Sequence, residues 1–211
     1  MSYLDVTPES HPRPKRLGKG IVIAVIAVLL VAAAVVVLSG GGSFAELVEM
    51  TEEAEGSEAW LTYFTAEDCF LQALTEAPEA FEEATERLES ETAKLANHVD
   101  QSLIIFNTFG TRPWQDELRN AHEAIVAHYV VWEEHLTRAG PILAAINAEP
   151  TAIAQGIQLW LEQAQAAVEP ISSTFEDAGV AFEAAATQGG ETALIESLFV
   201  PAEVSCTRTA V

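Results

Sequence analysis

Histidine and cysteine are the scarce reactive side chains here, five and two among 211 residues, and their spacing limits the chemistry on offer. The stretch Ala121-His122-Glu123-Ala124-Ile125-Val126-Ala127-His128 has the outline of a zinc-protease helix, in which two histidines one turn apart grip the ion. The second histidine comes six residues after the first, which rotates it about 120° around a helix, so the two cannot share a metal. His128 and His135 do share a face, but two turns, about 10 Å, separate them. The Glu-x-x-His pair of di-iron bundles is also missing, since Leu95, Arg119, Ile125 and Trp132 stand three residues before His98, His122, His128 and His135. A site built from His98 and the later helix across a bundle stays open. The expectation is packing or surface histidines, with no metal and no cofactor.

Other reactive constellations fare no better. There is no GxSxG, no P-loop and no cysteine with a histidine partner in a nucleophile signature. Carboxylates are abundant, yet no pattern shows two buried together as an acid/base pair. The chain is therefore expected not to be an enzyme. Cys69 and Cys206 make an even pair, and in an oxidising compartment they allow one connectivity, a bridge from an early helix to the last residues. Two free thiols are the alternative. No CxxC redox motif is present. Trp60, Trp114, Trp132 and Trp160 fall in helical apolar stripes, which reads as core, with an aromatic ligand pocket as the rival.

The compartment follows from another element. From Ile21 to Leu38 the sequence carries no charge, no proline and no polar side chain. As a helix those eighteen residues reach roughly 27 Å, close to the hydrocarbon thickness of a bilayer. Arg13, Lys15, Arg16 and Lys19 precede the run, and the next basic residue is Arg87, so the amino terminus is expected in the cytoplasm. This is read as a signal-anchor: a cytoplasmic tail (1–19), a single transmembrane helix (20–38), a Gly/Ser tether (39–43) and an extracytoplasmic domain (44–211). A cleaved secretory signal, cut after Ala45 in Ser43-Phe44-Ala45, is the alternative. Either way, the remainder lies outside the cytoplasm.

Charge sharpens that picture. Of 32 acidic and 10 basic residues, two acids and four bases precede the span, leaving 30 acids against 6 bases beyond it, a net −24. Such a field excludes nucleic acid and anionic headgroups as partners and fits a solvated acidic surface.

Helical periodicity organises the domain. Ser43-Phe44-Ala45-Glu46 reads as a capping box, and the acidic run Thr51 to Glu58 is expected to break at Gly56. Apolar residues from Trp60 to Leu74 follow helical spacing, with a second start left open at Thr65-Ala66-Glu67-Asp68. Phe81, Ala84, Leu88, Thr92, Leu95, Val99, Leu103 and Phe106 recur at threes and fours, a long amphipathic helix stopped by Gly110. The next helix is expected from near Pro113 to Gly140, with a short helix or turn over Pro141 to Asn147. The last runs from Ile153, kinked or split at Pro170, to Gly189-Gly190, with a short terminal helix over Leu194 to Phe199. Strand signals are nearly absent, so the expected fold is all-α, an antiparallel four-helix, up-and-down bundle. An anchor with such a domain is similar to single-pass bacterial envelope proteins with helical ectodomains, a likeness that carries no residue roles.

One surface feature stands out. The turn Phe106 to Trp114 places Phe109, Arg112 and Trp114 in a helix connection that would return to the membrane side, so these three are candidates for contact with the bilayer interface or a membrane partner. Two function classes follow. The first is a non-catalytic, membrane-anchored accessory or scaffolding protein presenting an acidic helical ectodomain to an envelope complex. The second is a ligand-binding or sensory ectodomain that holds a small molecule between helices and works through a membrane partner, because a tail of 19 residues is too short to carry a signalling domain.

Overall fold

The computed structural model describes residues 41–148, 151–195, Leu198 and Cys206. The expected cytoplasmic tail and transmembrane helix lie outside these residues. Among the described residues no helix is long and apolar enough to cross a membrane. The described chain is all-helical, with no strand among the described residues: α1 (Phe44–Glu55), α2 (Glu58–Thr75), a 3-10 turn (Pro78–Ala80), α3 (Phe81–Phe106), α4 (Asp116–Ala148), α5 (Ile153–Gly189) and a second 3-10 turn (Thr192–Ile195).

The sequence signals explain most boundaries. The Ser43 hydroxyl accepts from the Glu46 amide at 3.2 Å while the Glu46 carboxylate receives the Ser43 amide, the reciprocal box that satisfies two free donors of α1. Gly56 ends α1 as its amide bonds Glu52 O at 2.8 Å, and a Cβ there would lie 2.8 Å from that same oxygen. Ser57 then caps α2. No new helix starts at Thr65, because its hydroxyl donates back to Leu61 O inside a continuous α2. Gly190, at φ 73°, caps α5 in the left-handed region that suits glycine.

Helix α4 continues through Pro141 to Ala148 instead of ending at Gly140, and α5 is not split at Pro170. Both prolines are exposed, so the carbonyls that lose a helical donor face water. Burial then holds the extension together: Leu143 and Ile146, beyond Pro141, are core residues. The short helix or turn expected over Pro141 to Asn147 is thus the last two turns of α4. The expected terminal helix is seen only as the 3-10 turn at Thr192–Ile195, and the rest of it lies outside the described residues except Leu198, which is buried.

Consecutive long helices pack against one another in opposite directions. Along α2 and α3, Phe70 meets Phe81 and Trp60 meets His98. Along α3 and α4, Phe106 O meets His122 at one end and Glu89 meets Asn147 at the other. Along α4 and α5, Gly156 sits so close to Ile146 that a Cβ there would lie 2.4 Å from its Cγ1, and Thr174 reaches His128 further on. Helix α1 crosses this set, touching α3, α4 and α5.

The stripe expected for α3 is the buried one, from Ala84 through Leu88, Leu95 and Val99 to Phe106, with only Phe81 half-buried. Its two threonines are satisfied locally, as Thr85 and Thr92 each donate to the carbonyl four residues back at 2.7 Å. Cys69 and Cys206 form a disulfide across 137 residues of sequence. Closing so long a loop stabilises by at most about 5 kcal/mol through the unfolded chain.

Candidate functional site

Four aromatic side chains on α2 and α4 form a tight group. Trp60 and Trp132 meet at 4.9 Å between ring centroids, Phe64 lies 5.8 Å from Trp132, and Tyr63 6.1 Å. On one side the group is sealed: Trp60 Nε1 donates to Ala54 O at 2.9 Å, and Tyr129 and Phe106 fill the space beyond. On the other side it opens into a groove. Helix α2 meets α5 squarely where the Phe70 and Trp160 rings touch at 4.8 Å, but the two helices do not draw together along their length as the consecutive pairs do. The space left is a cavity of about 860 Å³, floored by Trp132 and His135 of α4 and walled by Tyr63, Phe64, Glu67 and Leu71 of α2 and residues 160–175 of α5. That volume suits a small molecule. Apolar side chains stand at its mouth, Leu71 at 40%, Leu161 at 43% and Val168 at 65% exposed.

Few polar groups reach the groove, and burial tunes each of them. Glu67 is pushed up to about 7, first by loss of solvent and second by the Asp68 charge beside it. Tyr63 is held well above the usual phenol range by burial and then by the Glu67 charge, which places those two groups close together. The Tyr63 hydroxyl lies 3.3 Å from His135 Nε2. His135 is held below the usual imidazole range by burial and by the Arg138 cation, so it is neutral at pH 7. Its buried Nδ1 has no hydrogen-bond partner. A buried polar atom without a partner costs stability unless something else satisfies it.

The other described histidines each make a hydrogen bond within the helix set. Nε2 of His98 and of His122 each donate to a carbonyl, Ala54 O at 2.8 Å and Phe106 O at 2.9 Å. His128 Nδ1 lies 3.0 Å from the Thr174 hydroxyl, and burial lowers its pKa to about 4. Among the described residues, no three His, Cys, Asp or Glu side chains come together as a metal-holding group. A second buried acid, Glu55, is raised to about 7 by burial and accepts from the Tyr129 hydroxyl at 3.2 Å, but it sits on the sealed side.

The residues singled out in the turn divide. Phe109 is buried, its ring 5.3 Å from that of His122 and pressed so closely on Gly42 that a Cβ there would lie 2.3 Å away. Gly42 also donates to Gly110 O at 2.7 Å and accepts from Gln115 Nε2, so Gly41 and Gly42, read as tether, are packed against the turn. Arg112 is half-buried with its guanidinium 5.9 Å from the Trp114 ring, and Trp114 itself is 54% exposed. Cys206 is clasped twice, by the disulfide and by its amide donating to Asp68 Oδ2 at 2.7 Å, one residue from Glu67.

Sequence reasoning passed over Tyr63, Glu67 and His135 as a group. The signal was present in Tyr63, Glu67 and Leu71, spaced four apart, which puts a carboxyl inside an apolar stripe. Comparison of the chain with protein-family models, with curated proteins and with solved structures finds no match.

Proposed function

We propose that this chain is a membrane-anchored, ligand-binding ectodomain, an antiparallel four-helix bundle of α2 to α5 left open between its first and last members so that a small apolar molecule lies in the gap. The observation that carries this reading is the apolar, aromatic-lined groove left between α2 and α5. A helix pair with no ligand to hold gains by closing over Leu71, Leu161 and Val168 and burying them. The anchor and the extracytoplasmic location are part of the proposal and rest on the apolar run Ile21 to Leu38.

The groove is tested with the full chain in bilayer discs, its four tryptophans carrying fluorine and read by NMR. Octanol is expected to move the Trp132 and Trp160 resonances and to leave Trp60 and Trp114 in place. Ala164→Phe, which fills the groove, should remove the response. Equal movement of all four resonances would mean simple partitioning and would end the proposal.

A second reading has its own observation. Trp114, exposed beside Arg112 in the turn that packs on Gly42, suits contact with a membrane partner or the bilayer interface, which is how an accessory or scaffolding protein would use its ectodomain. A photo-crosslinker replacing Trp114 in cells tests it. One partner captured in stoichiometric yield supports the scaffold, and the absence of any adduct removes it.

A further inference from the structure

Building on the groove as a ligand site, we infer that its ligand is a hydrophobic organic cation, an amine or quaternary ammonium on an apolar body, with the Glu67 carboxylate as counter-ion and aromatic side chains as walls. The lining contains one carboxyl and neither lysine nor arginine. The groups around Glu67 are mostly acidic or uncharged. Its own helix adds Asp68 next to it and the neutral phenol of Tyr63; α4 supplies neutral His135, with the Arg138 cation acting on that imidazole from outside the lining; α5 supplies the uncharged polar side chains Gln165 and Ser172. Beyond the groove, the chain after the apolar run carries 30 acids against 6 bases, so an anion would enter against the field and a cation with it.

The walls suit the same ligand. Tyr63, Phe64, Trp132, Trp160 and Phe175 give the groove five aromatic rings, and an alkylammonium head is attracted to such faces, most strongly to tryptophan. Its large, weakly hydrated head loses little water on entry, whereas a fatty acid of the same length would bring a second carboxylate beside Glu67. A neutral alcohol would fill the apolar space and leave the carboxyl to hold its proton.

Glu67 gives the inference a pH signature. With its carboxyl near half-ionised at pH 7, a bound cation favours the ionised form and expels a proton. Affinity should therefore rise with pH, about tenfold between pH 6 and pH 8, and level off above. Neutral ligands should show no such rise.

The test uses the same fluorotryptophan-labelled full chain and three probes matched in chain length: octyltrimethylammonium, octanol and octanoate. The expected order at pH 8 is cation first, by roughly tenfold over octanol, with octanoate last. Glu67→Gln should bring the cation down to the octanol value, and Glu67→Asp should keep most of the preference. The Trp60 and Trp114 resonances report whether each variant is folded. Octanol binding as tightly as the cation, or a cation preference that survives Glu67→Gln, would overturn the inference while leaving the groove as an apolar site. No movement at Trp132 and Trp160 with any probe would overturn both.

Discussion

The α3 side and the α5 side of the helix set differ in how they treat apolar and polar groups. Between α3 and α4, Leu88, Leu95, Phe106, Ile125, Tyr129 and Leu136 are all fully buried, and the threonines among them return their hydroxyls to the backbone. Between α2 and α5, Leu71, Leu161 and Val168 stay in water and Glu67 loses solvent without gaining a cation. The α3 side closes its apolar groups against α4, with Glu91 Oε2 as a buried oxygen that has no hydrogen-bond partner among the described residues. The α5 side leaves apolar surface uncovered, the pattern expected where function overrides packing.

The contrast is sharpest for a large-to-small change on the closed side. Phe106→Ala should cost about 4 kcal/mol by denaturant unfolding, because Phe106 is fully buried with its ring against Tyr129. A cost below about 1 kcal/mol would mean that this side is loosely packed too. Cys206→Ser should follow at about 3 kcal/mol, less than the chain-entropy limit, and the same loss should appear in wild type on reduction. Gly156→Val should cost about 2 kcal/mol, since its Cβ would collide with the Ile146 stem on α4.

Titration separates the buried acids from the buried histidine by sign, with one raised acid on each side. Glu55 and Glu67 are raised from 4.5 to about 7, so each makes the folded state less stable as pH climbs from about 4.5 to 7, and the full penalty stands above 7. His128 is lowered from 6.5 to about 4, so it destabilises in the other direction as pH falls from 6.5 toward 4. Stability should therefore peak in mildly acidic solution. Glu55→Gln or Glu67→Gln should each remove about 2 kcal/mol of the loss toward pH 8 in thermal melts across pH. A cationic ligand should cancel the Glu67 part alone. The smallest effect is expected at the mouth: Val168→Ser should change stability by less than about 0.5 kcal/mol while weakening octanol binding severalfold.

Local signals carried the helix starts and stops well. Ser43 with Glu46, Gly56 and Gly190 each mark a boundary because each meets a backbone need at one position. The stripe from Ala84 to Phe106 was legible for the same reason, as a single helix face fixes it. Pro141 misled because its cost depends on whether the freed carbonyl meets water, which is decided by neighbouring helices rather than by the proline. The groove was hidden for a related reason. Tryptophans in helical stripes look alike whether the facing helix closes on them or stands off, and only the meeting of α2 with α5 distinguishes Trp60, which is sealed, from Trp132, which lines the cavity. Phe109 and Trp114 likewise share a turn in sequence, yet one is tucked under Gly42 and the other is not.

The bond from Cys69 to Cys206 turns nearly the whole helical array into a closed ring. A protease that clips the turn at its exposed end, Pro113 to Trp114, would therefore yield a nicked molecule that still migrates as one piece on a non-reducing gel and parts into two only when thiol is added.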